Sequence, residues 1–343
     1  MSINHWKTIW PTHGFPALPP QELGMNQHIL AALDRYAERE ETRFRAILIV
    51  RHGHLAFEKY YRGQQLSDYH RIASATKSII SALVGVALQE GYLHSLEQPL
   101  IDFFPEFVTP EMDARMKQVT LHHLMTMTSG FSYEEWQHNV VRWEQGEGDW
   151  AAFAFSLPMA FEPGQHFQYN ALGIHLISII LTKVTGRSTL EFARQMLFQP
   201  LGISTDEKSG FFWMQDPEGY YRGGGGMRLR PRDMAKFGYL YLKNGLWEQN
   251  QLLPTKFIKR STQQHTMGGP PVNEPYGYLW WTTQHDEHDL FFASGIGGQI
   301  IAVIPDLDIV VVIASTNEAH LNEKKQRDII ANFIIPAIHQ KQQ

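Results

Sequence analysis

Ser74 and Lys77 place a hydroxyl and an amine three residues apart, at the predicted start of an apolar helix. Side chains at this spacing lie on one helix face, so the Ser74 oxygen and the Lys77 nitrogen can meet without help from distant segments. Ser74 is the only serine in the sequence with a lysine at the third position after it. The pair predicts a serine nucleophile activated by lysine. The same spacing also fits a serine that caps the helix and a lysine that points into solvent.

The chemistry of such a pair demands a particular environment. A serine hydroxyl is a poor nucleophile until a base removes its proton, and lysine is a base only when burial and nearby positive charge keep part of it neutral. A tyrosine beside a lysine ammonium is shifted the other way, toward the phenolate. A helix that begins at Ser74 would also add positive potential where an oxyanion forms.

Composition narrows the class of protein. The chain has 343 residues, 43% hydrophobic and 12% aromatic, which is enough for a large core. The net charge of -5 and the pI near 6.4 show no excess of positive charge that would favour binding to nucleic acid or to an anionic membrane. We therefore expect neither nucleic acid nor a membrane as a partner. A small-molecule substrate is the partner that we do expect, and the oligomeric state is left open. The absence of cysteine excludes disulfides, thiol catalysis and cysteine-ligated zinc.

The sequence carries no targeting signal that we recognise. Met1 to Pro20 contains tryptophan and proline but no basic patch followed by an apolar run. The longest apolar candidate, Ile309 to Ala314, has the length of a strand rather than of a membrane span. We expect a cytoplasmic protein, with an exported form whose signal peptide was removed as the alternative.

The elements that must position Ser74 can be predicted from periodicity. Before it, a helix from Asn26 to Arg39 is followed by a hairpin, Arg45 to Val50 and Leu55 to Tyr61, that turns at His52-Gly53. Four helices are predicted after Ser74: Lys77 to Glu90, Leu121 to Met127, Leu172 to Val184 and Arg232 to Leu242. Gly91 ends the first of them, and Thr120 is the N-cap of the second.

The last quarter of the chain returns to strands. Leu290 to Phe292, Gln299 to Ile304 and Ile309 to Ser315 are strand-like, and Glu323 to Ile338 has the pattern of an amphipathic helix. Strands near both termini with helices between them predict an α+β fold, with one antiparallel sheet built from both ends and flanked by helices. We assign residues 1–66 and 205–343 to this sheet domain and 67–204 to an inserted, mostly helical lobe. Ser74 then lies at the seam, where clefts usually form.

Three further segments accompany the Ser74 pair in a specific order. They are Pro163-Gly164-Gln165-His166-Phe167-Gln168-Tyr169-Asn170 before a helix, Gly223 to Gly226 with Met227 to Gly238, and Ala293-Ser294-Gly295-Ile296-Gly297-Gly298-Gln299 at a strand. Together with Ser74 to Lys77 they resemble the serine β-lactamase and penicillin-binding-protein superfamily, most closely its class C-like branch of esterases and amidases. The resemblance runs from about Ile47 to Ile335 and implies a β-lactamase-like fold.

The resemblance also implies roles for individual residues. Ser74 would be the nucleophile, Lys77 its proton acceptor, and Tyr169 the tyrosine that shares the proton and passes it to the leaving group. The oxyanion hole would be formed by the backbone N–H groups of Ser74 and Ile296. Ser294, Gly295 and Gly297 would contact substrate, and close approach of backbone explains glycine there. No cofactor or metal is implied.

Two positions depart from the superfamily pattern. The second motif usually carries Asn or Ser two residues after the tyrosine, where this chain has Ala171; Asn170 comes one place early and would point elsewhere. The third motif usually presents Lys or His where this chain has Ser294 before Gly295. Without a cation to bind a carboxylate, anionic β-lactams and D-alanyl peptides are disfavoured as substrates.

Other signals favour structural roles or stay open. His122-His123 lacks the spacing of a metal-binding pair. Gly223 to Gly226 lacks the Lys of a phosphate loop, so we interpret this glycine run as a loop near the cleft. Tyr133 and Trp136 are candidates for substrate binding. They could line an acyl pocket together with Tyr276 and Trp280, or all four could pack in the core.

The sequence therefore supports a ranked set of functions. The first is a serine hydrolase that forms an acyl-enzyme on a neutral carboxylic ester. An amidase or peptidase on small amides, such as aminohexanoate oligomers or D-amino-acid peptides, comes next, followed by a weak class C-like β-lactamase. A catalytically silent scaffold of the same fold is the alternative outside enzymes.

Overall fold

The computed structural model describes residues 6–39, 43–133, 148–316 and 324–338. Its strands are β1 (Phe44–Arg51), β2 (His54–Tyr60), β3 (His70–Arg71), β4 (Phe212–Trp213), β5 (Met227–Leu229), β6 (Leu246–Trp247), β7 (Asn250–Gln251), β8 (Thr266–Gly269), β9 (Glu274–Tyr276), β10 (Trp281–His285), β11 (His288–Gly295), β12 (Gln299–Ile304) and β13 (Ile309–Ser315). Its α-helices are α1 (Gln27–Ala37), α2 (Thr76–Gln89), α3 (Leu121–Met125), α4 (Trp150–Ser156), α5 (Ala171–Thr185), α6 (Thr189–Ala193), α7 (Pro231–Leu242), α8 (Thr255–Ser261) and α9 (Lys324–Ile329).

The main sheet has eight strands in the order β2-β1-β13-β12-β11-β10-β9-β8, and its pairs are antiparallel. The hairpin β1–β2 from the first part of the chain lies beside β13 from the last part, with Leu48 opposite Val312. Every residue of β12 and β13 is buried. The sheet is therefore built from both ends of the chain, as the sequence predicted.

Helix α7 covers the middle of the sheet at close range. A Cβ atom added at Gly238 would lie 2.6 Å from Cγ1 of Val310 and 2.9 Å from Cγ2 of Ile301. The missing side chain lets the helix backbone approach β12 and β13 directly. This contact ties the motif from Pro231 to Gly238 to the strands that carry the third motif.

Helix α2 is the centre of the helical part of the chain. Its residues from Thr76 to Ala87 are all buried, and a helix that is apolar all round must be covered on every side. It packs against α5, which in turn contacts α3, α4 and α6. The predicted α+β fold with an inserted helical region is confirmed, whereas the residue boundaries of the two parts stay a prediction.

Several element ends differ from the sequence prediction. The helix predicted to reach Met127 ends at Met125, because Met127 takes a left-handed φ of 60° that no α-helix can contain. The helix predicted from Glu323 to Ile338 is α9 followed by a π-helical turn, Ile330–Ile334. Strands β8 to β10 were not predicted, because their sequences carry glycine, proline and polar residues in place of an apolar run. No helix within the described ranges is long and apolar enough to cross a bilayer.

Candidate active site

Ser74 and Lys77 are in direct contact at the entrance to α2. Ser74 lies in a short 3-10 turn, Ala73–Ala75, and the N-cap position of α2 is Ala75. Lys77 Nζ donates to Ser74 Oγ at 2.8 Å, and the lysine side chain is only 2% exposed. The alternative of a capping serine with a solvated lysine is wrong. The pair has the arrangement that a lysine-activated serine requires.

The turn that presents Ser74 is strained and held from several directions. Ala73 adopts a φ of 49°, a left-handed conformation that costs a non-glycine residue about 1 kcal/mol. The backbone N–H of Ile72 donates to the carbonyl of Met227 on β5 at 3.0 Å, and Thr76 Oγ1 donates to the carbonyl of Ala73 at 2.7 Å. These bonds hold the bend in which Ser74 Oγ faces Lys77 Nζ in the first turn of α2.

A glycine-rich loop forms the second contact of Lys77. Lys77 Nζ donates to the backbone carbonyl of Gly224 at 2.7 Å. A Cβ atom at Gly224 would lie 2.7 Å from the Cβ of Ala171, so the loop fits only because both side chains are small. The interpretation of Gly223 to Gly226 as a loop near the cleft is confirmed. The contact with Ala171 also gives a physical reason for alanine at the position where the second motif departs from the pattern.

Tyr169 approaches Lys77 from the loop before α5. Lys77 Nζ lies 4.6 Å from the centroid of the Tyr169 ring, a cation–π contact, and Tyr169 is half-buried. The next residue, Asn170, caps α5, because its Oδ1 accepts the backbone N–H of Gly173 at 2.9 Å. The Asn170 side chain therefore bonds the start of α5, and it does not take the place of the Asn or Ser that the second motif usually carries at position 171.

Aromatic rings extend from Tyr169 along one side of the site. Tyr169 stacks on Trp281 with ring centroids 6.0 Å apart, and Phe167 contacts both Trp281 and Tyr276. Burial raises the pKa of Tyr276 well above its ordinary value, so this phenol stays neutral. The partly exposed Phe167 and Tyr169 thus present an apolar surface backed by buried rings. Trp280, by contrast, is a core residue with its ring stacked on Phe237.

The strand that carries the third motif ends beside the turn that carries Ser74. A Cβ atom at Gly295, the last residue of β11, would lie 2.2 Å from the carbonyl oxygen of Ile72. Ile296 follows Gly295 directly, so its backbone lies near the turn that carries Ser74. An oxyanion hole formed by the backbone N–H groups of Ser74 and Ile296 stays a prediction. Ser294 is buried on the same strand, and Gly297 has a φ of 83° in the turn after it.

The remaining predicted residues are less clearly connected to the site. Tyr133 is buried, and its backbone N–H donates to the carbonyl of Phe131 at 2.9 Å. Trp136 lies outside the described residues. A substrate-binding role for Tyr133 and Trp136 stays a prediction. Within the described ranges, no three His, Asp or Glu side chains are grouped as a metal site would require.

A buried pair that sequence analysis did not identify lies behind the glycine-rich loop. His175 Nε2 and Asp216 Oδ2 are 2.8 Å apart, and their side chains are 0% and 1% exposed. His175 falls in an apolar helix and Asp216 in a loop that reads as an ordinary turn. No spacing in the sequence links residues so far apart along the chain, so the pair could be found only by folding.

Comparison with known proteins identifies the family that this chain resembles over most of its length. The profile of the family described as Beta-lactamase matches residues 33–334. Lovastatin esterase of Penicillium rubens is 28% identical over 163 residues, which are 42% of this chain and 40% of that enzyme. The chain thus matches less than half of the esterase's length.

Two further relatives match most of the chain. The 6-aminohexanoate-dimer hydrolase of Paenarthrobacter ureafaciens is 24% identical over 323 residues, 88% of this chain and 80% of that enzyme. The solved structure of a family VIII carboxylesterase superposes with a TM-score of 0.71 at 15% identity, and the superposition covers 93% of this chain and 98% of that one. At this identity the structural match concerns the fold alone.

Proposed function

This chain belongs to the β-lactamase family, and on that premise we propose that it is a serine hydrolase that forms an acyl-enzyme at Ser74 on neutral carboxylic esters. The observation that carries the proposal is the 2.8 Å contact between Lys77 Nζ and Ser74 Oγ at the entrance to a buried helix. A buried amine is costly unless it is hydrogen-bonded, and Lys77 Nζ has Ser74 Oγ and the carbonyl of Gly224 as partners.

In the proposed reaction, Ser74 Oγ attacks the ester carbonyl carbon while Lys77 takes the hydroxyl proton. The carbonyl oxygen becomes an oxyanion that accepts the backbone N–H groups of Ser74 and Ile296. Collapse of this intermediate breaks the bond to the leaving alkoxide, which receives the proton through Lys77 and Tyr169. Water then attacks the acyl-enzyme with the same two residues as base and acid, and the carboxylic acid and free Ser74 are released.

The preference for a neutral substrate follows from the third motif. Ser294 stands where related hydrolases carry a cation, and a neutral hydroxyl cannot pair with a substrate carboxylate. The partly exposed rings of Phe167 and Tyr169 add an apolar surface that suits an uncharged acyl or alcohol group. Both features support an ester without a nearby negative charge.

An amidase acting on small amides is the second candidate. It is supported by the match to the aminohexanoate-dimer hydrolase, which extends over 88% of this chain. The same nucleophile and oxyanion donors would serve, but an amine leaving group must be protonated before it departs. Proton delivery by Tyr169 would therefore matter more for an amide than for an activated ester.

The proposal is tested with a fluorophosphonate probe and p-nitrophenyl acetate. Wild type is expected to be labelled and to turn over the ester, whereas Ser74→Ala should do neither. Ser78→Ala is the matched control, because the Ser78 hydroxyl lies on the same helix but donates to the carbonyl of Leu279 at 2.7 Å. Labelling and turnover that survive in Ser74→Ala would refute the proposal.

A substrate panel then ranks the candidates. We expect p-nitrophenyl butyrate to be hydrolysed with a higher kcat/KM than the aminohexanoate dimer, and nitrocefin to be the poorest substrate. A higher kcat/KM for the aminohexanoate dimer would favour the amidase. A higher value for nitrocefin would contradict the argument from Ser294.

A further inference from the structure

The buried pair His175–Asp216 is chemically well defined. The Asp216 carboxylate accepts two N–H groups, the backbone N–H of Tyr220 at Oδ1 (2.8 Å) and His175 Nε2 at Oδ2 (2.8 Å). The Trp150 ring packs edge-on against the imidazole, with centroids 4.9 Å apart. Burial lowers the pKa of His175, the effect of Asp216 acting in the opposite direction. A neutral imidazole that donates from Nε2 must have an acceptor at Nδ1.

That acceptor faces the glycine-rich loop. The backbone N–H of Gly223 points at His175 Nδ1 across 3.5 Å, and the carbonyl of the next residue, Gly224, accepts Lys77 Nζ. A Cβ atom at Gly223 would lie 2.2 Å from the carbonyl of Ile174, so the loop rests directly on the backbone of α5. A continuous chain of contacts therefore runs from Asp216 through His175 and the two glycines to Lys77.

The orientation of the Lys77 amine depends on this chain. A neutral lysine has two N–H bonds and one lone pair, and only the lone pair can take the Ser74 proton. A charged Lys77 donates to both Ser74 Oγ and the carbonyl of Gly224; once it is neutral, with one N–H directed to Gly224, its lone pair can point to Ser74 Oγ. A carbonyl displaced by a fraction of an ångström would turn the amine and would misalign the proton transfer.

We propose that His175 and Asp216 are positioning residues that hold the Gly223–Gly224 loop so that Lys77 is aligned with Ser74. The inference rests on the proposed hydrolase mechanism for its kinetic consequence, but not for the contact itself. Neither residue touches the reacting atoms. They act through the loop, and Asp216 also sets which imidazole nitrogen carries the proton.

Asp216→Asn is the sharpest variant, because it keeps the size of the side chain but removes one acceptor. The amide then has to oppose an N–H donor with its own NH2 group, either at Tyr220 or at His175. If it opposes His175, the ring must switch tautomer and turn an Nδ1–H toward the N–H of Gly223. His175→Phe keeps a ring against Trp150 and removes both contacts. Ile179→Ala, one helical turn along α5 and also buried, is the control for a simple loss of packing.

Two measurements on the full chain separate this inference from the proposed function. The first follows the εCH2 resonance of Lys77 in protein labelled with 13C-lysine, assigned with Lys77→Met, and requires no activity. We expect the resonance to move in Asp216→Asn and His175→Phe but to stay in place in Ile179→Ala. A resonance equally unmoved in all three variants would overturn the inference even if the protein is a hydrolase.

The second measurement is ester hydrolysis. We expect kcat to fall by ~10- to 100-fold in Asp216→Asn and His175→Phe with little change in KM, because alignment rather than substrate binding is lost. A fall in kcat of the same size in Ile179→Ala would show that His175 and Asp216 act only through packing and would overturn the inference. If the wild-type protein is neither labelled by the fluorophosphonate probe nor active on the ester, the proposed function fails. The Lys77 resonance alone then decides whether His175 and Asp216 position this lysine.

Discussion

Lys77 Nζ lies 2.7 Å from the carbonyl oxygen of Gly224, although the two residues are far apart in the sequence. The same nitrogen lies 2.8 Å from Ser74 Oγ, so one buried side chain connects Ser74 to a loop from the later part of the chain. The short spacing along the chain explains the contact with Ser74, whereas only the fold explains the contact with Gly224. The predictions below test what each contact does.

Replacement of Lys77 by methionine should separate catalysis from stability. We expect Lys77→Met to lower kcat by ~10²- to 10⁴-fold, since a general base is removed. The free energy of unfolding should fall by less than about 2 kcal/mol, because loss of the hydrogen bond to the carbonyl of Gly224 is offset by burying an apolar chain of similar length in place of an amine. The measurements are ester turnover and urea unfolding. A loss of stability above about 2 kcal/mol would indicate that the lysine is mainly structural.

Gly224→Ala should damage both the fold and the reaction. The new Cβ would lie 2.7 Å from the Cβ of Ala171, so we expect a loss of about 1–3 kcal/mol in the free energy of unfolding and a lower kcat. Gly225→Ala is the matched control, since its Cβ would approach only the carbonyl of Ala73, at 3.6 Å. Equal behaviour of the two variants in thermal unfolding and turnover would contradict the close packing of Gly224.

Ser294→Lys should change the charge preference of the site. A cation at this position could pair with a substrate carboxylate, so we expect kcat/KM for an anionic ester to rise by ~10-fold or more relative to its neutral analogue. Ser294→Met, which has a similar reach without charge, should leave that ratio near the wild-type value. The idea fails if the methionine and lysine variants give the same ratio.

The stability of the protein should depend on pH through His175. Burial lowers the pKa of His175 in the folded state, while Asp216 and Asp149 act to raise it and Arg222 acts to lower it further. The histidine pKa in the unfolded chain is ~6.5, so the unfolded chain binds more protons than the folded chain once the pH falls below this value. Stability from this residue is therefore complete above the unfolded value and is lost as the pH drops below it, toward the folded pKa.

The variant His175→Phe isolates that contribution, because other buried histidines also respond to acid. We expect the difference in free energy of unfolding between wild type and His175→Phe to favour wild type more at neutral pH than at pH values below the unfolded histidine pKa. Urea unfolding of both proteins across this range measures the difference. A difference that is constant with pH would show that His175 does not change its protonation between the two states.

Much of the architecture could be predicted from local pattern. The apolar runs of β12 and β13 match the predicted strands to the residue, and α2 and α5 lie within a residue or two of their predicted bounds. Long periodic segments with clear caps are determined by interactions between near neighbours. The short strands β8 to β10 escaped prediction, because they form only by pairing with an existing sheet edge.

The sequence by itself indicated which groups could react, because Ser74 and Lys77 are only three residues apart where an apolar helix begins. It also favours a neutral substrate, which stays a prediction, since the residue type at position 294 decides whether a cation is present there. Only the tertiary structure decided what surrounds the pair: the carbonyl of Gly224, the ring of Tyr169 and the approach of Gly295 to the turn. The contact between His175 and Asp216 belongs to the same class, since it joins two segments that no local rule connects. Such contacts arise from close packing of the whole core, so they cannot be predicted from residue spacing along the chain.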